Sequence, residues 1–271
     1  MKKVLLFSLA FVATTFLAAA QDAPTKEKQE SKKKKHRDND DNDGWNSWND
    51  WNGGTKVRGE GARVTENRDV RDFTGVEAGI SADIELRQSA TFKVTLEGQK
   101  NILALVKTDL KNGNLKISFE KGYSVSYKSP LRVVIEAPSF AYLGMSGSGD
   151  VRATTPLSGT KLEVKISGSG DFDFNEVKYD ELAVGISGSG DFQISGAAAK
   201  VDLSISGSGN LHADDLKAQT ARCRISGSGD ITLNVAKELD ASISGSGDIR
   251  YSGKPASVKS RVSGSGDIEA K

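Results

Sequence analysis

The chain has 271 residues, with 37 basic and 36 acidic side chains for a formal charge of +1, 29 glycines, two histidines and one cysteine. One cysteine excludes a disulfide framework and a cysteine-rich zinc site, and near-neutral charge gives no basis for a nucleic-acid partner, which needs a concentrated basic face. Hydrophobic residues make up 37% of the chain, enough for a core, so the glycine excess needs a positional explanation.

Met1 to Lys3 are a basic start, Val4 to Leu17 a short apolar run and Ala18 to Ala20 a small-residue cleavage site, which together predict a secretory signal peptide over 1–20. The run is too short for a retained membrane span, and no later stretch approaches the ~20 apolar residues that a span requires. With no cysteine near the cleavage site, a lipid anchor is not expected either. The product is expected to be exported to the periplasm, the cell surface or the medium. Residues 21–56 read as a disordered tether: a basic block at Lys32 to Lys35 with Arg37, an acidic one at Asp38 to Asp43, then Trp45, Trp48 and Trp51 among polar residues. The tryptophans are suited to stacking on sugars or docking on the domain, but an exposed linker is the simpler reading. Asn39, Asp41, Asp43, Gly44 and Asp50 stand at calcium-loop offsets, yet the closing Glu and the flanking helices are missing. His36 and His212 lie too far apart in the chain to suggest a histidine-based site.

From residue 57 the composition alternates. Phe92 to Leu96, Leu115 to Phe119 and Leu131 to Ile135 are predicted strands, and Gly79 to Leu86 looks like a worn copy of a unit that recurs later. That unit is Ser-Gly-Ser-Gly, opening at Ser146, Ser167, Ser187, Ser206, Ser226, Ser244 and Ser263, at intervals of 18 to 21 residues. These seven copies hold fourteen of the glycines. One residue before each copy stand Met145, Ile166, Ile186, Ile205, Ile225, Ile243 and Val262, and five before stand Ala141, Leu162, Leu182, Val201, Ala221, Leu239 and Val258. Cys223 falls in the apolar column between these two, which makes it a buried thiol. Val151, Phe172, Phe192, Leu211, Ile231, Ile249 and Ile268 follow the motif, and polar residues fill the positions between.

A period of two means strands with one buried face. A unit of about 20 residues cannot bury that face alone but does so by stacking on copies of itself. The predicted fold is all-β, a parallel β-helix of about ten coils: degenerate ones over 57–140 that act as the N-terminal cap, and seven regular ones over 141–271. Between Asp83 and Asp150 there is room for three coils of looser period. Each glycine pair is expected to turn a corner, because glycine tolerates the backbone angles and packs under its copy without a Cβ. The last coil has no separate cap, so end-to-end association of copies is expected there.

Asp150, Asp171, Asp191, Asn210, Asp230, Asp248 and Asp267 follow the seven motifs. Carboxylates stacked ~4.8 Å apart repel by about 1 kcal/mol per neighbour in water, so each must be solvated, hydrogen-bonded or bridged by a cation. Turn capping is the preferred reading. Calcium is the sharper one, with the six aspartates as weak candidate ligands, but one carboxylate per coil and the interruption at Asn210 argue against it. The paired serines form hydroxyl ladders of the kind found on ice-binding solenoids, although those usually use threonine. An enzyme needs converging groups that break the repeat. Tyr179-Asp180-Glu181 and Asp214-Asp215 are the local acidic groups, and both are expected to be solvated loops. No catalytic residue and no cofactor is expected.

Phe73-Thr74-Gly75-Val76, the worn copy at Ile80 to Leu86, Leu115-Lys116-Ile117, the seven Ser-Gly-Ser-Gly-Asp/Asn copies and Tyr251-Ser252-Gly253-Lys254-Pro255 together resemble the GIN family of auto-transporter adhesin head domains, common in exported proteins of Bacteroidetes-type bacteria. The resemblance covers about Val70 to Ala270. It implies a right-handed β-helix shaped like the pectin lyases without their catalytic residues, and an adhesive role toward a surface ligand, glycan or protein. No translocator barrel or sorting domain is read after the repeats, so "auto-transporter" is not expected to describe the export route. The alternative expectation is a periplasmic carbohydrate-binding or carbohydrate-processing β-helix.

Overall fold

The computed structural model describes residues 54–271. The expected signal peptide, most of the expected tether, the calcium-loop candidates Asn39, Asp41, Asp43, Gly44 and Asp50, and Trp45, Trp48 and Trp51 lie outside the described residues. The end of the expected tether falls within a strand, Thr55–Arg58, which pairs in parallel with Tyr123–Ser126.

From Tyr142 onward each repeat is one coil of a parallel β-solenoid. On the first face Leu162, Leu182, Val201, Ala221, Leu239 and Val258 pair in succession, as do Ile166, Ile186, Ile205, Ile225, Ile243 and Val262. On the second face Val151, Phe172, Phe192, Leu211, Ile231, Ile249 and Ile268 do the same. The apolar columns are buried through six of the seven coils, and Phe172, Phe174 and Phe192 meet with ring centroids 5.1 to 6.1 Å apart. Ala141 departs from its column. The chain enters this coil through a bend, so Ala141 is exposed and Phe140 is buried beside it.

The returns are strands and not the loops expected. Phe172–Ile186, Phe192–Ile205, Leu211–Ile225 and Ile231–Ile243 each run through the third face into the first. Apolar alternation persists there: Val177, Tyr179 and Leu182 are all buried. Tyr179 therefore belongs to the core, its hydroxyl donating to the Phe140 carbonyl at 3.1 Å, while Asp180 and Glu181 face solvent from a strand. Asp214 and Asp215 also lie within a strand.

The N-terminal part differs most from expectation. Gly75–Ala78 pairs with Tyr142–Met145, and Val151 to Ala153 pair with Ile84 to Leu86, so the worn copy sits directly against the first regular coil. No coils separate Asp83 from Asp150. On the other side of the worn copy lie Asn114–Phe119 and Leu131–Ala137, in parallel. Beyond these the pairing turns antiparallel, with Val106–Lys111 on one strand and Lys93–Gln99 followed by Arg63–Arg68 on the other. After Gln88 the chain thus builds a closing layer beneath the stack, then passes the worn coil again to lay down the next one above it. The expected ten coils reduce to the seven regular ones, the worn copy and one cap level. Among the described residues nothing covers the opposite end: Val258 and Val262 are 41% and 47% exposed, although their columns are buried from Leu162 to Leu239 and from Met145 to Ile243.

Candidate functional site: the repeated corner

The Ser-Gly-Ser-Gly segment at Ser146 lies against Ile80 to Ala82 of the worn copy, and every later one lies against the one before it. A Cβ added to Gly168 would stand 1.7 Å from the carbonyl oxygen of Gly147, one on Gly188 1.8 Å from that of Gly168, and one on Gly227 2.1 Å from that of Gly207. Only Gly264 among the corner glycines has a positive φ, 149°. Close approach between coils, and not a left-handed backbone, is what excludes a side chain from most of the corner. The first serine of each motif donates its N–H down the stack, as Ser187 does to Ile166 at 2.8 Å, and from Ser189 on the second serine does likewise, as Ser208 does to Gly188 at 3.1 Å. Both serine side chains point outward and are exposed.

The aspartates form a continuous hydrogen-bonded ladder. Asp150 Oδ1 accepts the backbone N–H of Asp171 at 3.2 Å, Asp171 that of Asp191 at 3.0 Å, and Asp191 that of Asn210 at 2.7 Å. Asn210 Oδ1 accepts from Asp230 at 3.0 Å, Asp230 from Asp248 at 2.8 Å and Asp248 from Asp267 at 2.9 Å. Asp83 is the lowest rung, with a longer 3.4 Å contact to the Asp150 amide. Each side chain from Asp83 to Asp248 thus serves the amide of the next coil. Asn210 fits because the role requires an acceptor oxygen and no charge; its Nδ2 also donates to Asp191 at 3.1 Å. Among the described residues no three His, Cys, Asp or Glu side chains are grouped to hold a metal ion. Asp191→Asn is therefore expected to leave the melting temperature unchanged or slightly raised, whereas Asp191→Ala strands a backbone donor and costs about 1–2 kcal/mol. Thermal melts of both variants in EDTA and in millimolar Ca²⁺ check this; a calcium-dependent midpoint in the parent that Asp191→Asn removes would restore the calcium reading.

Two features were missed by the sequence reading. Glu85 joins three levels: Arg132 Nη2 lies 2.6 Å away in the cap, Arg87 Nη2 2.5 Å away on the same strand, and the Thr154 hydroxyl 2.9 Å away in the coil above. Burial opposes its charge, but these donors outweigh it and hold the carboxyl down at about 2. The second feature is a groove of about 520 Å³ along the first face, crossing six coils and lined by Lys161, Glu181, Lys200, Asp202, Arg222 and Asp240 among others. Charges alternate between levels, so Glu181 meets Lys200 at 3.3 Å, Asp202 meets Arg224 at 2.8 Å and Arg222 meets Asp240 at 3.6 Å. Alternating sign in an outward column was the signal for it. Cys223 is fully buried, and that burial pushes its thiol pKa upward.

Parallel coils with the same backbone-serving corner at each level define a β-solenoid, and its side-chain chemistry is spent on its own scaffold at the corner. The chain belongs to the family described as "Putative auto-transporter adhesin, head GIN domain", which matches residues 72–255. Similar solved structures include a "putative adhesin" from Bacteroides fragilis NCTC 9343, 28% identical with a TM-score of 0.77, covering 79% of this chain and 100% of that one. A "putative lipid binding protein" from Parabacteroides distasonis ATCC 8503 is 25% identical with a TM-score of 0.67, covering 80% and 100%. A "putative adhesin" from Parabacteroides merdae ATCC 43184 is 26% identical with a TM-score of 0.62, again covering 80% and 100%. No curated protein matches the chain.

Proposed function

We propose that this protein is a non-enzymatic, exported binding module of the cell envelope, a head that holds a surface ligand through the side of its stack. The observation that carries this reading is the mixed-charge groove, a long, exposed surface outside the ladder that crosses six coils and is framed by rigid strands. Family membership supports it, since the GIN domain is described as an adhesin head. No described helix is long and apolar enough to cross a membrane, consistent with release or surface attachment after processing. The same reading includes association of copies through the open last coil.

Binding of lipid inside the coils, suggested by the name of one relative, finds little room. The apolar gap among Val76, Ile84, Leu143, Met145 and Phe172 has about 10 Å³, near the space of one water. Carbohydrate binding or processing remains the alternative. Proteolysis of intact cells is expected to degrade the protein, and a glycan and protein array is expected to give binding without turnover on a polysaccharide panel. Protection from protease on intact cells would remove the adhesin role, and measurable turnover would falsify the non-enzymatic one.

A further inference from the structure

The two ends of the stack are chemically different. At the N-terminal end both continuing edges are antiparallel strands, Val106–Lys111 and Arg63–Arg68, which offer no glycine corner on which a coil can sit. At the other end Ser257–Val262 and Ile268–Ala270 have no strand above them among the described residues, and the apolar columns surface at Val258 and Val262. An uncovered parallel edge with apolar columns is a template for strand pairing. What covers it must continue two apolar columns that meet at one corner. The capped end of another copy does not do so, but the open end of another copy does.

We infer that two copies close their last coils against each other about a two-fold axis through the corner at Ser265. This rests on the association of copies proposed above and fixes its geometry. A two-fold axis that bisects the corner exchanges the two faces, so Ser257–Val262 of one copy runs antiparallel to Ile268–Ala270 of the other. Side-chain parity restricts the register, because inward residues must oppose inward residues. Setting Val262 across from Ile268 of the second copy meets that condition and places Arg261 across from Glu269, with both pairs occurring twice by symmetry. Arg261 is exposed, and Glu269 reaches down to Arg250 at 2.9 Å, so the new contact extends an existing ion pair. The register sets Lys259 across from Lys271, whose ammonium is bound to Asp214 and so turned away from the seam. Registers that pair the Ser257–Val262 strand with its own copy oppose Lys259 to Arg261, or either residue to itself, and are disfavoured. Because the capped ends take no part, growth stops at two.

Light scattering of the secreted chain across concentrations, with Arg261→Glu, Glu269→Arg and the combined swap, tests this. The expected result is a species of twice the chain mass, a dissociation constant raised about tenfold or more by each single swap, and recovery in the combined variant. A mass equal to one chain at every concentration overturns association itself. Growth beyond two copies overturns the two-fold closure while leaving association standing, and a dimer indifferent to the swaps overturns the register. All the changed side chains are exposed, and circular dichroism of each variant confirms that its coils remain folded.

Discussion

Gly188→Val is expected to abolish the cooperative folding of the stack, and Gly188→Ala to destabilise it by about 3 kcal/mol or more. The reason is the 1.8 Å separation between the added Cβ and the Gly168 carbonyl oxygen, which no rotamer relieves because both atoms are fixed by the backbone. Making room means parting two coils, with loss of the Ser187 and Ser189 amide bonds and of the Asp171 to Asp191 rung. Gly185→Ala, three residues earlier in the strand that leads into this corner, is the control. Its Cβ would meet only the Ser204 hydroxyl at 3.3 Å, a side-chain end held by one long 3.4 Å hydrogen bond to the Val184 carbonyl and able to give way, so a change within about 0.5 kcal/mol is expected. Urea unfolding of the two alanine variants followed by circular dichroism compares them directly; similar midpoints would show that the coils are not in contact at the corner.

The second large effect is expected from Glu85. Its carboxyl is held at about 2 in the folded chain against an ordinary 4.5, so its contribution to stability is complete above about pH 5 and is lost as the pH falls toward 2. The full shift corresponds to about 3 kcal/mol, but the Arg87 and Arg132 side chains are 41% and 52% exposed, and solvent screening reduces the expectation to about 2 kcal/mol. Glu85→Gln is therefore expected to lower stability at pH 7, with the gap to the parent closing as pH drops to about 2. Denaturant titrations at pH 7, 4 and 2.5 measure the gap. A gap that stays constant with pH would mean that Glu85 acts by packing alone.

The regular coils were legible because Leu162, Val164 and Ile166 recur at the same offsets in later units, so burial and period point to one partner, the next copy. The cap was legible only as strands. Alternation in Phe92 to Leu96 or Leu131 to Ile135 says that one face is buried and nothing about which strand lies alongside or in which direction. Glu85 escaped for the same reason: its partners Arg132 and Thr154 are 47 and 69 residues away in sequence, and only the detour of the chain brings them together. The corner was read correctly as glycine-dependent but for a partly mistaken cause, since a residue column does not distinguish an unusual φ from a carbonyl of the previous coil. The acceptor role of the aspartates could have been sharpened by Asn210, where loss of charge with retention of the oxygen already favours a hydrogen bond over a cation.

The detour has a consequence for the history of the protein. The worn coil is flanked by segments that follow it in the chain on both sides, so duplicating or deleting a unit there would tangle the cap with the stack. From Leu157 on, each coil pairs its strands only with those of the coils laid down just before and after it, and a unit gained or lost shifts the rest by one level without rewiring that pairing. The length of the head is thus adjustable in steps of one coil on the repeat side, while the cap side is frozen.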